Sequence, residues 1–569
     1  MSEKSDSPVY LIKKRMRDGT EKVYVCNRSN LRRSLNLTFS EPSEMTAFDD
    51  LIKQAKAVNR CDSLSAVIIK ALRRFLETRN SEERSSNAVC NTPKPLHQEA
   101  ESRAITPDPV GDPCLVVCDK AALWNVIQTV EKHSSECKES LILEKVTAWG
   151  FASRIHCKCI NHSLVLNTST VVGSVRAVDC LLTVAYASSG VLATQFEKFC
   201  NFSKLPYSPR TVEKLLVDIE GAVELLKLES LAAAQEGESR ATEQHDPTST
   251  AISVETDARH ACRKNSTHTD VVALGQMTHK VVGIVHVSKK DELSSQKHEA
   301  FGTKKLYEYF DSKKISVLDH AHDRNTTVNK IIREKNGPSN SNDRWHAAKS
   351  LKKGFLAISS GPKRNEGKTW HVELSDKCQA VRNHAYYAMA ACEGNPTKLR
   401  DIFINCVNHF EGKHEKCSEE SICKENGHVP TTLLVKDPLA SELLTKFLKS
   451  TTIYKNAEDY VKSKDTFYVE SFNNTMLIYL QKRIHYQDRS YKLRQSLALL
   501  DWNEHVGRGY TSRYSIEDCR HPDRQGGKRK YFRKTYSFVQ KIRELVLRSA
   551  ALGDASTVND DSLVNDESV

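Results

Sequence analysis

A run of alternating β-rich and helical patterns between residues 251 and 333 constrains the fold of this chain more than any other feature. Three β-rich segments at 251–256, 271–274 and 280–287 are separated by polar turns and predict an antiparallel meander. A helical pattern at 301–310, a fourth strand at 315–318 and a helix at 326–333 follow. Strands that alternate with helices in this way indicate a mixed α/β core.

Carboxylates stand at the ends of these elements. Asp257 ends the first strand, Asp323 follows the fourth, and Glu470 begins a helical pattern far downstream. If the three converge, they can hold two Mg²⁺ ions roughly 3.5–4 Å apart, a pair that activates water or a 3′-hydroxyl against a phosphodiester. Asp319, closer to the strand end, is the alternative to Asp323. Singly, each has a structural interpretation, because a carboxylate such as Glu470 offsets a helix dipole and Asp323 suits a turn or cap.

The order of these motifs resembles that of eukaryotic DDE cut-and-paste transposases of the Kolobok, Mutator-like and hAT kind, over residues 114–545. The family's Asp-Gly-Arg element is matched by Thr256-Asp257-Ala258-Arg259, and its Asp-Arg-His element by Asp323-Arg324-Asn325. A third family element consists of an Asp or Cys, two further residues and a His, and Asp343-Arg344-Trp345-His346 matches it. The family's Glu-Ser-Phe helix is matched by Glu470-Ser471-Phe472-Asn473.

The resemblance implies an RNase H-like core that cleaves DNA strands and transfers them at transposon ends. It implies that Asp257, Asp323 and Glu470 are catalytic and bind Mg²⁺ or Mn²⁺, and that Asp343, His346 and Arg324 support them. The implied partners are double-stranded DNA, at transposon ends and target, and further copies of the chain assembled on that DNA.

Three replacements leave a second interpretation open. Ala258 replaces the family's glycine, and Asn325 and Asn473 replace histidines, so the chain is alternatively a domesticated, catalytically inactive DNA-binding or regulatory protein derived from a transposase. Trp345 and His346 also have a plain interpretation, in which the face of Trp345, Ala348 and Leu351 is ordinary helix core.

Composition sets wider bounds. The 569 residues are 39% hydrophobic and 27% charged, which suits several folded domains. The net charge of +12 is compatible with a polyanionic partner without requiring one. No secretory leader or long apolar run stands out, so we expect an intracellular protein whose 17 cysteines are mostly free thiols, with a minority holding zinc.

The N-terminal region predicts a small α+β domain. Residues 8–26 alternate around Asp18-Gly19 as a hairpin, and a strand at 35–39 precedes two amphipathic helical patterns. One strand followed by two helices resembles a ribbon-helix-helix unit, in which Asn36 and Thr38 read bases while Arg32 and Arg33 contact phosphates. The alternative is a small helical cap domain with a charged face.

An interval of about 150 residues separates Asp323 from Glu470, too long for a direct connection in a compact core, so we predict an inserted helical domain. Within it His409, His414, Cys417 and Cys423 are candidate zinc ligands. A second candidate set, near His156, is Cys137, Cys157, Cys159 and His162. For both sets the alternative is free buried thiols and solvated histidines.

Residues 520–541 combine cations with aromatic residues and form the best predicted nucleic-acid contact in the chain. Cations neutralise phosphates, and aromatic rings stack on exposed bases. The candidate DNA-binding residues are Lys528, Arg529, Lys530, Arg533 and Lys534. The same segment suits a solvated basic surface or a nuclear-import signal, and we expect a nuclear protein. A structural zinc protein without a nucleic-acid role is the remaining alternative.

These patterns divide the chain. The predicted segments are an N-terminal domain at 1–80, a linker at 81–112, a helical domain with a Cys/His element at 113–235, a linker at 236–250, the first part of the core at 251–375, the helical insertion at 376–465, the C-terminal core helices with the basic segment at 466–550, and a disordered acidic tail at 551–569.

Overall fold

The computed structural model describes residues 9–15, 21–27, 35–39, 115–262, 264–425, 428–430, 432–515 and 527–560. The chain divides into two compact units, residues 1–107 and 108–569. The division falls inside the predicted linker at 81–112.

The first unit contains a three-stranded antiparallel sheet of β1 (Val9–Arg15), β2 (Glu21–Asn27) and β3 (Leu35–Phe39). The predicted hairpin and the third strand are confirmed. In a ribbon-helix-helix unit this third strand pairs with a second copy, whereas β3 pairs with β2 of its own chain and sets Asn36 opposite Tyr24 and Thr38 opposite Lys22. Arg32, Arg33 and the two predicted helices lie outside the described residues.

The segment predicted to be a helical domain at 113–235 is mixed instead. Helix α1 (Lys120–Cys137) precedes the antiparallel sheet of β4 (Ile142–Trp149), β5 (Ala152–Lys158) and β6 (Ser163–Asn167) and the short pair β7 (Val171–Val172) and β8 (Val175–Arg176). Helices α2 (Ala177–Ser188) and α3 (Ala193–Ser203) follow. Burial does not alternate regularly along β4 and β5, so these strands lack the simple period-two pattern of a half-buried strand.

Helix α4 (Pro209–His245) runs through most of the predicted linker at 236–250, which is therefore not a linker. Its polar C-terminal half is anchored by Glu238, whose buried carboxylate accepts hydrogen bonds from Met277 N and Thr278 N, both at 2.8 Å. These two amides belong to the turn between the next strands, so the polar residues serve as a cap.

The central sheet contains five strands in the order β11-β10-β9-β12-β13. Strands β9 (Ile252–His260), β10 (His268–Gly275) and β11 (Val281–Ser288) form the predicted antiparallel meander. Strand β12 (Val317–His322) pairs in parallel with β9, and β13 (Ser339–Asn342) pairs in parallel with β12. The intervening helices are α5 (His298–Ser312) and α6 (Thr326–Glu334). The mixed α/β class is confirmed, and β13 was not predicted.

Helices cover both faces of this sheet. Leu306 and Phe310 of α5 pack on the face that carries Val271 and Val282. The opposite face, with Val272 and Leu274, packs against α12 (Phe467–Tyr479) and α13 (Asp488–His505), and α14 (Ser537–Asp560) packs on α13 and α4. The sheet therefore lies between two helical layers, which hold the edge where β12 ends in a fixed position.

The helical insertion consists of α7 (Arg344–Ser359), α8 (Cys378–Ala391), α9 (Pro396–Phe410), α10 (Pro438–Ser450) and the short α11 (Thr452–Lys455). These helices share one hydrophobic core that extends from Ala347 to Tyr460. The insertion therefore begins at α7, ahead of the predicted boundary at 376, because α7 buries Leu351 and Phe355 in this core.

Beyond α13 a two-stranded ribbon of β14 (Tyr510–Ser515) and β15 (Gly527–Tyr531) leads into α14, which continues to Asp560, past the predicted start of the tail at 551. Residues 561–569 lie outside the described part. Across the ranges that the structure covers, every helix is too short or too polar to cross a bilayer.

Candidate active site

Asp257 lies within β9, which continues to His260 rather than ending at Asp257 as predicted, and Asp323 directly follows the neighbouring parallel strand β12. Thr256 of β9 is opposite His322 of β12, and each is followed by one of the two aspartates. Side chains that leave adjacent parallel strands at the same level emerge at the same edge of the sheet, where α/β proteins place their ligands.

Asp257 is held by two hydrogen bonds. Its Oδ1 accepts from Ala258 N at 2.8 Å and its Oδ2 accepts from the Asn473 amide at 2.7 Å. Burial, together with the charge of Asp323, raises the pKa of Asp257 to about 7. The bond from Asn473 connects β9 to α12, the helix that carries Glu470.

Arg259 shows why β9 meets α12 at this point. The guanidinium is buried and donates to the carbonyl of Leu480, at the end of α12, and to the Tyr491 hydroxyl at 3.4 Å. It also lies 3.7 Å from the Asp270 carboxylate of β10. Arg259 therefore connects β9 and β10 to the end of α12 and to α13.

Asp343 joins the sheet to two helices. As the N-cap of α7 it accepts from His346 N at 2.6 Å through Oδ1. Through Oδ2 it accepts from Thr466 N and Thr466 Oγ1, both at 2.8 Å, at the start of α12. Asp343 is buried and is committed to positioning these helices.

His346 lies between the predicted catalytic carboxylates. Its Nδ1 is 3.3 Å from Asp323 Oδ1 and 3.2 Å from Asp343 Oδ1, and its Nε2 is 3.9 Å from Glu470 Oε1. Asp323, Asp343 and His346 each offer one possible ligand atom, and these atoms lie within 4.8 Å of one another.

Glu470 lies in the first turn of α12 with its side chain 47% exposed. Burial raises its pKa, His346 opposes the rise, and the charges of Asp323 and Asp343 add to it. Its position also suits the helix-dipole interpretation, and the two roles are compatible. Asn473 links Asp257 to α12, the helix of Glu470, and His346 lies between Glu470 and Asp323. Among the described residues, the group with metal-ligand geometry contains Asp323, Asp343 and His346 and does not include Asp257 or Glu470.

The sequence patterns missed Glu299, in the first turn of α5. Its carboxylate accepts from the Asn325 amide at 2.8 Å, while Asn325 Oδ1 caps α6 by accepting from Thr327 N at 3.0 Å. Burial raises the pKa of Glu299, and the charge of Asp323 raises it further. The one sequence signal for Glu299 is its position just before an apolar helical pattern.

Other candidates lie elsewhere. Asp319 is buried and accepts from Ser339 and Ser341 of β13 at 2.6 and 2.8 Å, with Lys462 Nζ at 3.2 Å. Its carboxylate holds the sheet edge together, whereas Asp323 contacts His346. Arg324 is exposed.

Exposed aromatic side chains border the carboxylates. A cleft of about 790 Å³ opens beside Glu470 and is lined by Trp345, Tyr386, Phe467 and Tyr468. Trp345 is 43% exposed and Phe467 62% exposed. Rings presented in this way can stack on unpaired bases.

The N-terminal Cys/His set differs from the predicted one. His133 Nε2 lies 3.3 Å from Cys159 Sγ, which lies 3.8 Å from Cys137 Sγ and 3.6 Å from His162 Nδ1. These four residues form a group of metal-ligand type, and Cys157 is not part of it. Cys157 lies within β5, opposite Leu143 and Leu164, whereas Cys159 lies just past the end of that strand. His133, one helical turn before Cys137, is the fourth member of the group.

The set in the insertion is the predicted one. His409, His414, Cys417 and Cys423 form a second group of metal-ligand type. Cys417 Sγ lies 3.6 Å from His409 Nδ1 and 3.8 Å from His414 Nδ1. Both groups can hold a metal ion such as zinc.

The basic segment forms the β14–β15 ribbon. The guanidinium of Arg529 lies 5.0 Å from the centre of the Tyr510 ring, and Lys530 and Arg533 are exposed. Lys534 instead lies 2.7 Å from the buried Asp501 carboxylate, which limits its reach. Lys528 is a backbone partner in the ribbon, opposite Tyr514.

Comparison with known proteins gives no match: no protein-family model, no curated protein and no solved structure matches this chain.

Proposed function

We propose that this protein is a DDE transposase-like enzyme that cleaves DNA strands and transfers them in the presence of Mg²⁺ or Mn²⁺. The observation that carries the proposal is that Asn473 links Asp257 to α12, the helix of Glu470, while His346 lies between Glu470 and Asp323. The strand order, with β9 at the centre between antiparallel and parallel neighbours, is the order of an RNase H-like sheet and supports the assignment.

The donor set fits a hard divalent cation. Carboxylate oxygens dominate the site, and such oxygens are preferred by Mg²⁺ and Mn²⁺. Burial, and after it the charge of Asp323, raises the pKa values of Asp257 and Glu470, and a bound cation would offset both effects. Asp257, Asp323 and Glu470 are the residues that would hold it.

When bound, the metal pair lowers the pKa of an attacking hydroxyl and stabilises the leaving oxygen. The residues of the chain do the rest. Asn473 orients Asp257, Asp343 orients His346 and the start of α12, and the aromatic cleft beside Glu470 stacks DNA bases. Attack by water and then by the freed 3′-hydroxyl needs no covalent intermediate with protein. Several copies of the chain bind the DNA together, and the protein acts in the nucleus.

The test is strand cleavage of a DNA fragment that carries the flanks of the chain's own coding region. We expect Asp257→Asn and Glu470→Gln to reduce Mg²⁺-dependent cleavage at least a hundredfold, because each removes a metal ligand. Glu308→Gln, an exposed carboxylate on α5, is the matched control. Equal cleavage by wild type and both site variants would exclude this active site.

A second function is favoured by one observation. Asn473 occupies a family histidine position, and its amide already engages Asp257, an arrangement that suits a retained fold without chemistry. A domesticated DNA-binding protein should bind DNA and give no cleavage under any divalent cation. Restoring histidine by Asn473→His would leave that result unchanged.

A further inference from the structure

The four side chains of the N-terminal Cys/His group come from two separate elements. His133 and Cys137 are one turn apart on α1, while Cys159 and His162 flank the turn between β5 and β6. Spacing of four residues places two helical side chains on the same face. The turn between β5 and β6 brings Cys159 and His162 to the same face of α1.

The distances between these atoms fit a tetrahedron around one metal ion. With Zn–S near 2.3 Å and Zn–N near 2.0–2.1 Å, the corners of a tetrahedral site are about 3.3–3.8 Å apart. The separations of 3.3, 3.6 and 3.8 Å around Cys159 fall in this range. We propose that His133, Cys137, Cys159 and His162 bind one Zn²⁺ ion.

The surroundings suit thiolate ligands. The Asn161 amide donates to Cys137 Sγ at 3.6 Å and His162 N donates to Cys159 Sγ at 3.2 Å. Donors of this kind orient and stabilise metal-bound sulfur. Four protein ligands leave no open position, so the site is structural and fastens α1 to the β5–β6 hairpin.

The experiment is metal analysis of the purified full-length chain. His133→Asn and Cys137→Ser should each remove one zinc ion per chain, whereas Cys157→Ser, two residues from a ligand, should retain the wild-type content. Loss of zinc from Cys157→Ser with retention in His133→Asn would overturn this ligand set. Circular dichroism identifies any variant that fails to fold.

A measurement on the wild type alone keeps the proposal testable if the variants unfold. Co²⁺ exchanged into the protein should give the strong visible absorption of a tetrahedral thiolate site. Weak absorption typical of octahedral Co²⁺, or a wild type that neither contains nor takes up zinc, would overturn the proposal.

The group in the insertion carries a second, independent proposal. We infer that His409, His414, Cys417 and Cys423 bind another Zn²⁺ ion, because all four ligand atoms lie within 4.8 Å of one another. His409 lies in the last turn of α9, and the other three follow in the segment between α9 and α10. An ion there would hold this irregular segment against α9.

The two sites predict a stoichiometry of two zinc ions per chain. Cys417→Ser should leave one ion, Cys137→Ser with Cys417→Ser should leave none, and Cys378→Ser, a partly exposed cysteine of α8 outside both groups, should leave two. A Cys417→Ser protein that is folded and still holds two ions would overturn the second site. Neither outcome depends on DNA cleavage, so failure here is distinguishable from failure of the proposed enzyme.

Discussion

Two carboxyl groups of β9 are held in an environment that favours their protonated form. Burial, together with the charges of neighbouring carboxylates, raises the pKa of Glu255 to about 8 and that of Asp257 to about 7. Each is therefore protonated in the folded state over a range in which it is ionised in the unfolded state. Stability that depends on them is present below about pH 4 and is lost as pH rises through 7 to 8.

Replacing Glu255 by glutamine should remove part of this pH dependence. Glu255 Oε1 is buried without a hydrogen-bond partner, so ionisation at pH 8 is costly and Glu255→Gln should stabilise the protein there by on the order of 2 kcal/mol. Urea unfolding at pH 5 and pH 8 measures the difference. Glu308→Gln is the control, and an equal response of both variants would contradict the prediction.

Mg²⁺ binding should depend on pH through Asp257. Proton and cation compete for this carboxylate, so affinity should rise up to about tenfold per unit as pH increases toward 7 and then level off. Thermal shifts produced by Mg²⁺ between pH 5.5 and 8.5 measure this. We expect Asp257→Asn to abolish the shift, and a shift independent of pH would contradict the assignment of Asp257.

At the scale of elements, buried carboxylates fix where helices begin and end. Asp343 binds the first turns of α7 and α12 together, and Glu238 of α4 caps the turn between β10 and β11. Each carboxylate accepts from two backbone amides at once, so one side chain satisfies donors on separate segments or along a turn. The active-site elements are positioned by such contacts as much as by apolar packing.

Removal of one cap should show the size of this effect. Glu238→Ala removes a buried carboxylate that accepts from the Met277 and Thr278 amides and should destabilise the protein by roughly 2–4 kcal/mol. Glu236→Ala, on the same helix but 69% exposed, should change stability by less than about 0.5 kcal/mol. Denaturant unfolding of both proteins provides the comparison, and equal losses would show that the cap is not the cause.

At the scale of the whole molecule, the basic ribbon and the carboxylate site belong to one compact unit. Exposed cations at Arg529, Lys530 and Arg533 give a surface for phosphates, while the carboxylates would repel DNA without bound cations. Binding and cleavage should therefore respond differently to salt and to Mg²⁺.

Reversing the charge of the ribbon should weaken DNA binding without regard to sequence. Arg529→Glu with Lys530→Glu should lower affinity at least tenfold and reduce the salt dependence by about one counterion per lost contact. Fluorescence anisotropy across a salt series measures both. The exposed Lys198→Glu on α3 is the control, and unchanged affinity of the ribbon variant would favour a structural zinc protein.

The sequence by itself determined the mixed α/β class and four of the five strands of the central sheet, because apolar periodicity is a local signal. It did not determine β13, whose residues Ser339–Asn342 are all polar; their side chains bond to Asp319, His322 and Asp459 rather than to an apolar layer. Nor did it exclude Asp319, since the choice depends on partners contributed by β13.

Only the tertiary structure decided which distant side chains meet. His133 replaces Cys157 because a helix turn and a hairpin turn converge, and Glu299 reaches the site because α5 lies against the loop that holds Asn325. The continuation of α4 depends on a turn more than thirty residues away. Residue types and local periods follow from the order of amino acids, whereas ligand sets and caps depend on contacts between segments far apart in the chain.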